Sequence, residues 1–399
     1  MNKLTIEDIQ VAGKKVLLRV DFNVPVDDQQ RVTDDTRIQA AMPTISRLLQ
    51  DGARLILLSH RGRPDGQRKE KYSLRPVAER LEKILGAPVS FSPDLFGPVA
   101  QTAIDNLQPG HCLMMENVRF YPEEEANDLQ FAKELASLGD KFVMDAFGTA
   151  HRAHASTEGV ARHFKDAACG YLMQKELKYL GTLKHNPERP YFTITGGAKV
   201  SDKVQLLDKL LDFSDGLIIG GGMAYSFLAV KGFKVGSSLV DKEHLKTVEE
   251  VFAKAERLGR QIYLPQDHVI AQEFKADSPA QVTSDANIPD GWMGLDIGPK
   301  TIAQFSEIAL SAKTLFWNGP MGVFEWDAFN KGTFALAQAV AQCQGVTVVG
   351  GGDSVAAITQ AGLADKVSHV STGGGASLEF IQNDEELPGV AALAKSKGK

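Results

Sequence analysis

The chain has 399 residues, a formal net charge of −6, 43% hydrophobic residues and 24% charged residues. This length predicts two domains or more, and the composition is that of a soluble globular protein with sizeable cores. The negative charge disfavours general binding to nucleic acid, but it leaves open a local basic patch, because net charge does not report how the charges are distributed. Three dispersed cysteines, Cys112, Cys169 and Cys343, favour a reducing compartment over a disulfide framework or a cysteine-rich zinc site.

No segment of the sequence predicts export or membrane insertion. The opening residues, MNKLTIEDIQ, lack the apolar stretch of a signal peptide. No run of about 18 apolar residues, the length of a membrane-spanning helix, occurs in the chain. We therefore expect a cytoplasmic protein without membrane partners.

Short apolar runs alternate with helical patterns along the chain. In the first half, the predicted strands are KKVLLRVDF, ARLILLSH, HCLMMENV and KFVMDAFG. In the second half they are PYFTITGG, DGLIIGGG, QIYLPQD, KTLFWNGP and GVTVVGGG. Intervening stretches such as TRIQAAMPTISRLLQDG and DKVQLLDKLLDF carry apolar residues at helical spacing. Continuous apolar strands separated by helices predict an α/β protein with two Rossmann-like, doubly wound parallel sheets.

The predicted domain boundary is a helical pattern from Met173 to Lys184, which the segment HNPERP ends. We read this pattern as a helix that joins the two domains. The sequence shows no internal repeat, low-complexity tract or long run of charge. The predicted divisions are an N-terminal domain, an interdomain helix, a C-terminal domain and a C-terminal segment, over residues 1–172, 173–189, 190–378 and 379–399 respectively.

Glycine follows the strands of the second half. In doubly wound sheets, ligands bind beyond the carboxyl ends of the strands, where glycine lets backbone approach a ligand and helix N-termini hold phosphate. A lone glycine pair is equally well explained as a tight turn. Several clusters in one domain favour a nucleotide site; they lie at residues 196–197, 220–222, 350–352 and 373–375.

Charged side chains follow the strands of the first half instead. A single arginine is usually a solvated surface residue, but several at one sheet edge would clamp phosphate or carboxylate. For the histidines, a structural hydrogen bond is as plausible as ligand contact. The residues concerned are Asp21, Asn23, Arg37, His60, Arg61, Arg63, Arg119, His151, Arg152 and His154. One nucleotide domain and one anion domain together suggest phosphoryl transfer across a hinged interdomain cleft that closes to exclude water.

The residues also carry a resemblance to a known family. RVDFNVP, SHRGRP, ENVRF, DAFGTAHR, GGAKVSDK, LFWNGPMGVFE, GGGDS and STGGGASLEF occur in the order seen in the phosphoglycerate kinase family. The resemblance implies reversible phosphoryl transfer between ATP and the carboxylate of 3-phosphoglycerate, giving ADP and 1,3-bisphosphoglycerate. It also implies Mg²⁺ bound with ATP or ADP, a monomer, and a C-terminal segment that packs back on the N-terminal domain.

The resemblance assigns roles residue by residue. In the N-terminal domain it implies that 3-phosphoglycerate is bound by Asp21, Asn23, Arg37, His60, Arg63, Arg119 and Arg152. In the C-terminal domain it implies that the nucleotide is bound by Gly196, Gly197, Ala198, Lys199, Lys203, Gly220, Asn318, Glu325, Gly350, Gly351, Gly352, Asp353 and Ser354, with Asp353 as the protein ligand to Mg²⁺. The predicted catalytic residues are Arg37, Lys199, Gly374 and Gly375.

Two positions depart from the family pattern, and two lysines require a geometric assumption. Arg61 stands where an apolar residue is usual, and we expect its side chain to point to solvent, with added positive potential near the substrate as the alternative. Ser354 replaces a common threonine, which should change little. We expect Lys199 and Lys203 to lie one helical turn apart, with a solvated helix lysine as the alternative for Lys203.

Two other classes of protein remain as alternatives. A nicotinamide-dependent dehydrogenase would also have strands that end in glycine, but G-x-G-x-x-G followed by an acidic residue about 20 positions later is absent. A non-catalytic binding protein of the same fold would be expected to have lost Arg37, Lys199 or Asp353, and all three are present.

Overall fold

Buried apolar strands lie at the centre of each half of the chain. A computed structural model describes residues 2–396, which divide into two units. The first unit holds the residues up to Lys178 together with those from Glu385 onward, and the second is Tyr179–Asp384. The division falls within one helix, α6 (Tyr171–His185), in the region where the sequence predicts an interdomain helix.

The first unit contains a six-stranded parallel sheet with strand order β3-β4-β2-β1-β5-β6. Its strands are β1 (Lys15–Val20), β2 (Arg54–Leu58), β3 (Val89–Ser92), β4 (Cys112–Met115), β5 (Lys141–Asp145) and β6 (Ala168–Cys169). Its helices before α6 are α1 (Thr36–Gln50), α2 (Arg75–Leu85), α3 (Gly97–Asp105), α4 (Pro122–Glu125) and α5 (Leu129–Ser137). Fully buried strand residues such as Leu18, Leu57 and Val143 form a core with Ile45 of α1 and Leu81 of α2.

The second unit contains another six-stranded parallel sheet, with order β15-β14-β13-β7-β8-β9, and a three-stranded antiparallel sheet, with order β11-β10-β12. The strands are β7 (Tyr191–Thr195), β8 (Gly216–Ile219), β9 (Gln261–Tyr263), β10 (His268–Ala271), β11 (Gln281–Val282), β12 (Met293–Ile297), β13 (Thr314–Asn318), β14 (Val346–Val349) and β15 (His369–Val370). The helices after α6 are α7 (Val204–Phe213), α8 (Ala224–Val230), α9 (Leu245–Leu258), α10 (Pro299–Ser311), α11 (Lys331–Gln342), α12 (Gly352–Gln360), α13 (Gly375–Gln382) and α14 (Pro388–Ala391), the last of which belongs to the first unit.

The predicted fold class is confirmed: both large sheets are parallel and alternate with helices along the chain. The antiparallel sheet was not predicted, because its strands are short and β11 is exposed on both of its residues. Strands β3 and β6 were also missed, because β3 is only partly buried and β6 has two residues.

The C-terminal residues lie on the first unit through backbone hydrogen bonds. The amide of Leu4 donates to the carbonyl of Ala394 at 2.8 Å, and the amide of Ala394 donates to Ala167 at 2.9 Å. The buried Lys3 ammonium forms an ion pair with Glu386 at 2.8 Å. In the described range, no helix is long and apolar enough to cross a bilayer.

Candidate functional site

In each unit, the predicted site residues lie beyond the carboxyl ends of parallel strands, which meet at one edge of the sheet. In the first unit, β1 leads into Asp21 and its neighbour β2 leads into His60. In the second unit, β7 leads into Gly196 and its neighbour β13 ends at Asn318. The topology therefore gathers residues that are far apart in sequence.

Asp21 is the acidic centre of the first cluster. Its Oδ2 accepts a hydrogen bond from Arg37 Nη1 at 2.6 Å, and its Oδ1 accepts one from the amide of Asn23 at 3.2 Å. The Asn23 side chain accepts from the amide of Gly62 at 2.9 Å, which fixes the loop after β2 against the loop after β1. The Arg37 side chain stays 42% exposed and so can reach an anion from solvent.

His60 lies beside this pair and is buried. Its Nδ1 is 4.0 Å from Asp21 Oδ1 and 3.3 Å from Nη2 of Arg19, a guanidinium buried within β1. Burial, and then the guanidinium groups of Arg19 and Arg119, hold the pKa of His60 well below its usual value. The imidazole is therefore neutral at neutral pH.

Three further predicted arginines have different surroundings. Arg119 is 4% exposed; it donates to the carbonyl of Gly62 at 2.9 Å and lies 3.2 Å from a Glu125 carboxylate oxygen. Burial is the main reason that its pKa falls to about 10, which still leaves it charged at neutral pH. Arg152 is partly buried, and its Nε donates to Nε2 of His151 at 3.2 Å. Arg63 is exposed and makes no hydrogen bond or ion pair with any described residue.

The prediction for Arg61 is wrong. Its side chain is 7% exposed, and Nη1 donates to the carbonyl of Ser73 at 2.7 Å. Burial lowers the pKa of Arg61, and the nearby Glu116 carboxylate opposes that shift. Glu116 in turn accepts from the Ser73 hydroxyl at 2.7 Å and from the amide of Leu74 at 2.8 Å. Arg61 therefore belongs to a buried structural network, because polar partners from later segments compensate its desolvation.

Several glycines of the second unit are required by close packing between loops. A Cβ on Gly196 would lie 1.9 Å from the carbonyl oxygen of Pro320, and a Cβ on Gly220 would lie 2.3 Å from the sulfur of Met321. A Cβ on Gly221 would lie 2.6 Å from the backbone nitrogen of Gly197. The loops contact one another at the sheet edge and leave no room for a side chain at these positions. This close packing is a reason for glycine in addition to turn geometry or ligand binding.

A second group of glycines has open space instead. Gly352 starts α12, and Gly374 and Gly375 lie at the start of α13; a Cβ on any of the three would meet nothing within 4 Å. Gly351, the residue before α12, has φ +88°, which other residues rarely adopt. A Cβ on Gly351 would also lie 2.4 Å from Nδ2 of Asn318, so packing requires glycine there. Packing does not require Gly352, Gly374 or Gly375, and the backbone N–H groups at these helix N-termini are suited to an anion.

The two lysines do not share a helix, so the prediction that they lie one helical turn apart is wrong. Helix α7 begins at Val204, after both. The ammonium of Lys203 donates to the side-chain oxygen of Asn318 and to its carbonyl at 2.8 Å. Burial lowers the pKa of Lys203 to about 8, against the raising effects of Asp353 and Asp202. The alternative of a solvated helix lysine is therefore also excluded for Lys203.

Other predicted nucleotide residues present free polar groups. Lys199, Glu325 and Asp353 are exposed and make no hydrogen bond or ion pair with any described residue. Ala198 is exposed beside Lys199. These groups are available to a ligand without first breaking a hydrogen bond or ion pair to the part of the chain that the structure describes.

Three other predicted nucleotide residues form hydrogen bonds within the protein: Asn318, Gly350 and Ser354. Asn318 is 1% exposed and donates to the carbonyl of Gly350 at 2.8 Å. The buried Ser354 hydroxyl accepts from the amide of Gly319 at 2.5 Å. The structure thus gives Ser354 a partner within the protein, and threonine could offer the same hydroxyl.

Sequence reasoning missed three residues of the first cluster: Arg19, Glu124 and Ser156. Arg19 Nε donates to the hydroxyl of Ser156 at 2.8 Å, and that hydroxyl lies 2.6 Å from Oε1 of Glu124. All three are buried. The one signal in the sequence was a charged residue inside the apolar run of β1, which is unusual unless the charge is compensated.

The chain is similar to known proteins over nearly its whole length. The family model of phosphoglycerate kinase matches residues 6–384. A phosphoglycerate kinase of Chloroflexus aggregans is 56% identical over 398 residues, which cover 98% of this chain and 99% of the relative. One from Clostridium perfringens is 54% identical over 394 residues, covering 98% of each chain.

Two solved structures are similar over nearly their whole length. The phosphoglycerate kinase of Coxiella burnetii has a TM-score of 0.90 and 41% identity, with 98% of each chain covered. The phosphoglycerate kinase of Pyrococcus horikoshii has a TM-score of 0.83 and 32% identity, again with 98% of each chain covered.

Proposed function

The chain belongs to the phosphoglycerate kinase family and is a kinase of glycolysis, and on that premise we propose how its own residues divide the work. The family's reaction moves a phosphoryl group reversibly between 1,3-bisphosphoglycerate with ADP and 3-phosphoglycerate with ATP. The first unit binds the phosphoglycerate, and the second binds the nucleotide. The observation that carries this division is the contrast between arginines at one sheet edge and open helix N-termini at the other.

The first unit binds a small polyanion through cations at one edge of its sheet. Arg37 and Arg63 are accessible, whereas Arg119 is fixed by the carbonyl of Gly62. Buried or fixed guanidinium groups lose little conformational freedom when they bind phosphate or carboxylate. The remaining members of the proposed site are Asp21, Asn23, His60 and Arg152.

The second unit binds the nucleotide phosphates with two kinds of group. Lys199 offers an ammonium that is unpaired within residues 2–396, and Lys203 offers one that Asn318 already holds in place. The N-termini of α12 and α13 add backbone N–H groups and positive helix-dipole ends. Glu325 is the proposed acceptor for ribose hydroxyl groups, because its carboxylate is exposed and unpaired among the described residues.

The proposed magnesium ligand is Asp353. Mg²⁺ in nucleotide sites needs only one or two protein carboxylates, with phosphate oxygens and water as its other ligands. Asp353 is exposed in the first turn of α12 and makes no hydrogen bond or ion pair with any described residue, which fits that requirement. Within the described residues, no group of three or more acidic, histidine or cysteine side chains could hold a metal ion. When bound, Mg²⁺ would neutralise phosphate charge.

The chemistry requires charge stabilisation more than proton transfer. The acceptor carboxylate, with a pKa of about 3.5, is ionised at neutral pH and needs no general base. The barrier is the approach of two anions and the charge on the transferring group, which moves in line between the attacking and leaving oxygens. Arg37 is the proposed cation from the substrate side, Lys199 is the one from the nucleotide side, and the backbone at Gly374 and Gly375 supplies N–H donors.

We also propose that the two units close during the reaction and that the enzyme is a cytoplasmic monomer. Transfer needs the two bound ligands to meet, so closure of the units, with hinges near α6 and residues 371–375, is part of the mechanism. X-ray scattering should show a smaller radius of gyration with both substrates than with either alone. We also propose a cytoplasmic monomer that binds neither membrane nor nucleic acid.

Calorimetric titration tests the division of the sites. Lys199→Ala should weaken ATP binding by about 10-fold or more and leave 3-phosphoglycerate affinity unchanged, since a charge-assisted phosphate contact contributes more than 1 kcal/mol. Arg63→Ala should do the reverse. If both variants weaken binding of the same ligand, the proposed assignment of phosphoglycerate to the first unit and nucleotide to the second is wrong.

A further inference from the structure

A chain of buried polar contacts runs behind the phosphoglycerate side of the first unit. Glu124 in α4 accepts from the amide of Ser156 at 2.8 Å and is bonded to its hydroxyl at 2.6 Å. The hydroxyl also accepts from Nε of Arg19 at 2.8 Å, and Arg19 Nη2 lies 3.3 Å from Nδ1 of His60. The other terminal nitrogen of Arg19 donates to the carbonyl of Val20.

The donor and acceptor roles along this chain are determined by chemistry. A guanidinium has N–H donors and no acceptor, so the contact between Arg19 and His60 requires Nδ1 to accept. The other group near Nδ1, the Asp21 carboxylate, is 4.0 Å away and too distant for a hydrogen bond. In a neutral imidazole whose Nδ1 accepts, the proton must be on Nε2.

Nε2 of His60 has no hydrogen-bond partner among the described residues, and it is not one of the fully buried polar atoms that lack a partner. It therefore remains open to a ligand on the side away from Arg19. A neutral imidazole with its proton on Nε2 is a donor at that atom. The oxygens of a phosphate or carboxylate are acceptors, so the two match.

Arg19 can hold this arrangement because its own position is fixed. The residue is 1% exposed, and Glu124, which is fully buried, supplies the opposite charge across the Ser156 hydroxyl. An uncompensated buried guanidinium would be strongly destabilised. Glu124 thus keeps Arg19 charged and aimed at His60, although it does not contact His60 itself.

We propose that Glu124 and Ser156 are positioning residues which, through Arg19, hold His60 as the neutral Nε2–H tautomer that donates a hydrogen bond to the phosphoglycerate. His60 is then a binding donor and not a general base. The tautomer assignment is independent of the enzyme's activity, whereas the identity of the acceptor rests on the proposed function.

The wild-type enzyme provides the first test. Long-range ¹H–¹⁵N spectra of protein with labelled histidine report which ring nitrogen carries the proton, and a His60→Asn variant identifies the His60 signals. We expect protonated Nε2 and unprotonated Nδ1 between about pH 6 and pH 8. Protonation at Nδ1 would overturn the proposal without any variant having to fold.

Variants test the positioning role. Glu124→Gln keeps the shape but removes the charge and one acceptor, so the His60 ring signals should shift toward a tautomer mixture. The KM for 3-phosphoglycerate should rise by about 10-fold while the KM for ATP changes by less than about twofold. Ser156→Ala should act in the same direction, and it serves as the second variant if Glu124→Gln does not fold.

Glu123→Gln is the matched control, because Glu123 lies on the same short helix and is exposed. It should change neither the spectra nor the kinetics. If Glu124→Gln raises the KM while the His60 signals stay as in the wild type, the positioning role is refuted. A wild-type protein with the expected tautomer but no affinity for 3-phosphoglycerate would contradict the proposed function and leave the tautomer assignment standing.

Discussion

Gly196 and Gly352 provide a matched test of the two reasons for glycine at the nucleotide edge. In Gly196→Ala, the added Cβ would lie 1.9 Å from the Pro320 carbonyl oxygen, about 1.5 Å inside an ordinary contact of 3.4 Å. The obstacle is backbone and cannot rotate away. Overpacking of this kind costs about 3 kcal/mol, which corresponds to a fall in Tm of roughly 6–12 °C for a domain of this size.

Gly352→Ala adds the same methyl group where nothing lies within 4 Å. Its Tm without ligand should stay within about 2 °C of the wild type, because a helix start tolerates alanine. Its ATP affinity should fall by about 10-fold, because the added methyl group obstructs the close approach of phosphate to the backbone N–H groups at this helix N-terminus. Differential scanning calorimetry with and without Mg-ATP measures both effects. If Gly196→Ala unfolds at the wild-type temperature, the packing argument is refuted.

Three other changes test separate parts of the molecule. Arg61→Ala should lower the free energy of unfolding by about 2 kcal/mol, because the buried carbonyl of Ser73 loses its hydrogen-bond donor. The same variant should change kcat/KM less than about threefold when the reaction is coupled to glyceraldehyde-phosphate dehydrogenase. His268 is buried, and burial is the main reason that its pKa falls to about 4. Between about pH 6.5 and pH 4, the unfolded state therefore binds a proton that the folded state does not bind. The free energy of unfolding falls as the pH drops through that range. The variant His268→Gln can still donate a hydrogen bond to the carbonyl of Ala286 but does not titrate. Between about pH 7.5 and pH 5, its free energy of unfolding in urea should therefore fall by about 2 kcal/mol less than that of the wild type. The same pH dependence of the free energy of unfolding in both proteins would contradict this. Asp353→Asn should raise the Mg²⁺ concentration for half-maximal activity by about 10-fold, measured by titrating the metal at fixed ATP, and an unchanged midpoint would exclude Asp353 as the ligand.

The sequence sufficed for the architecture because strands and helices leave local signals. The apolar runs of β1, β2 and β7 are visible without knowing their neighbours, and parallel sheets place their carboxyl ends together. That rule is enough to group Asp21 with His60 before any coordinates are known. Short or exposed strands such as β11 leave no such signal.

The details of the site depend on contacts between distant segments, which local patterns do not encode. Arg61 was expected in solvent, but its partner Ser73 lies 12 residues away and buries it. Lys203 was expected on a helix, but Asn318, which is 115 residues away, holds its ammonium. Ser156 is 137 residues from Arg19, so the polar network behind His60 could not be read from spacing.

In the proposed mechanism, cations and not a general base supply the catalysis. The most direct test incubates the enzyme with ATP, Mg²⁺ and 3-phosphoglycerate, coupled to glyceraldehyde-phosphate dehydrogenase, and follows the loss of NADH. We expect activity in the wild type that falls by at least about 100-fold, or about 2.7 kcal/mol of transition-state stabilisation, in both Arg37→Ala and Lys199→Ala. Wild-type activity that survives both changes would contradict the proposed roles of these two cations.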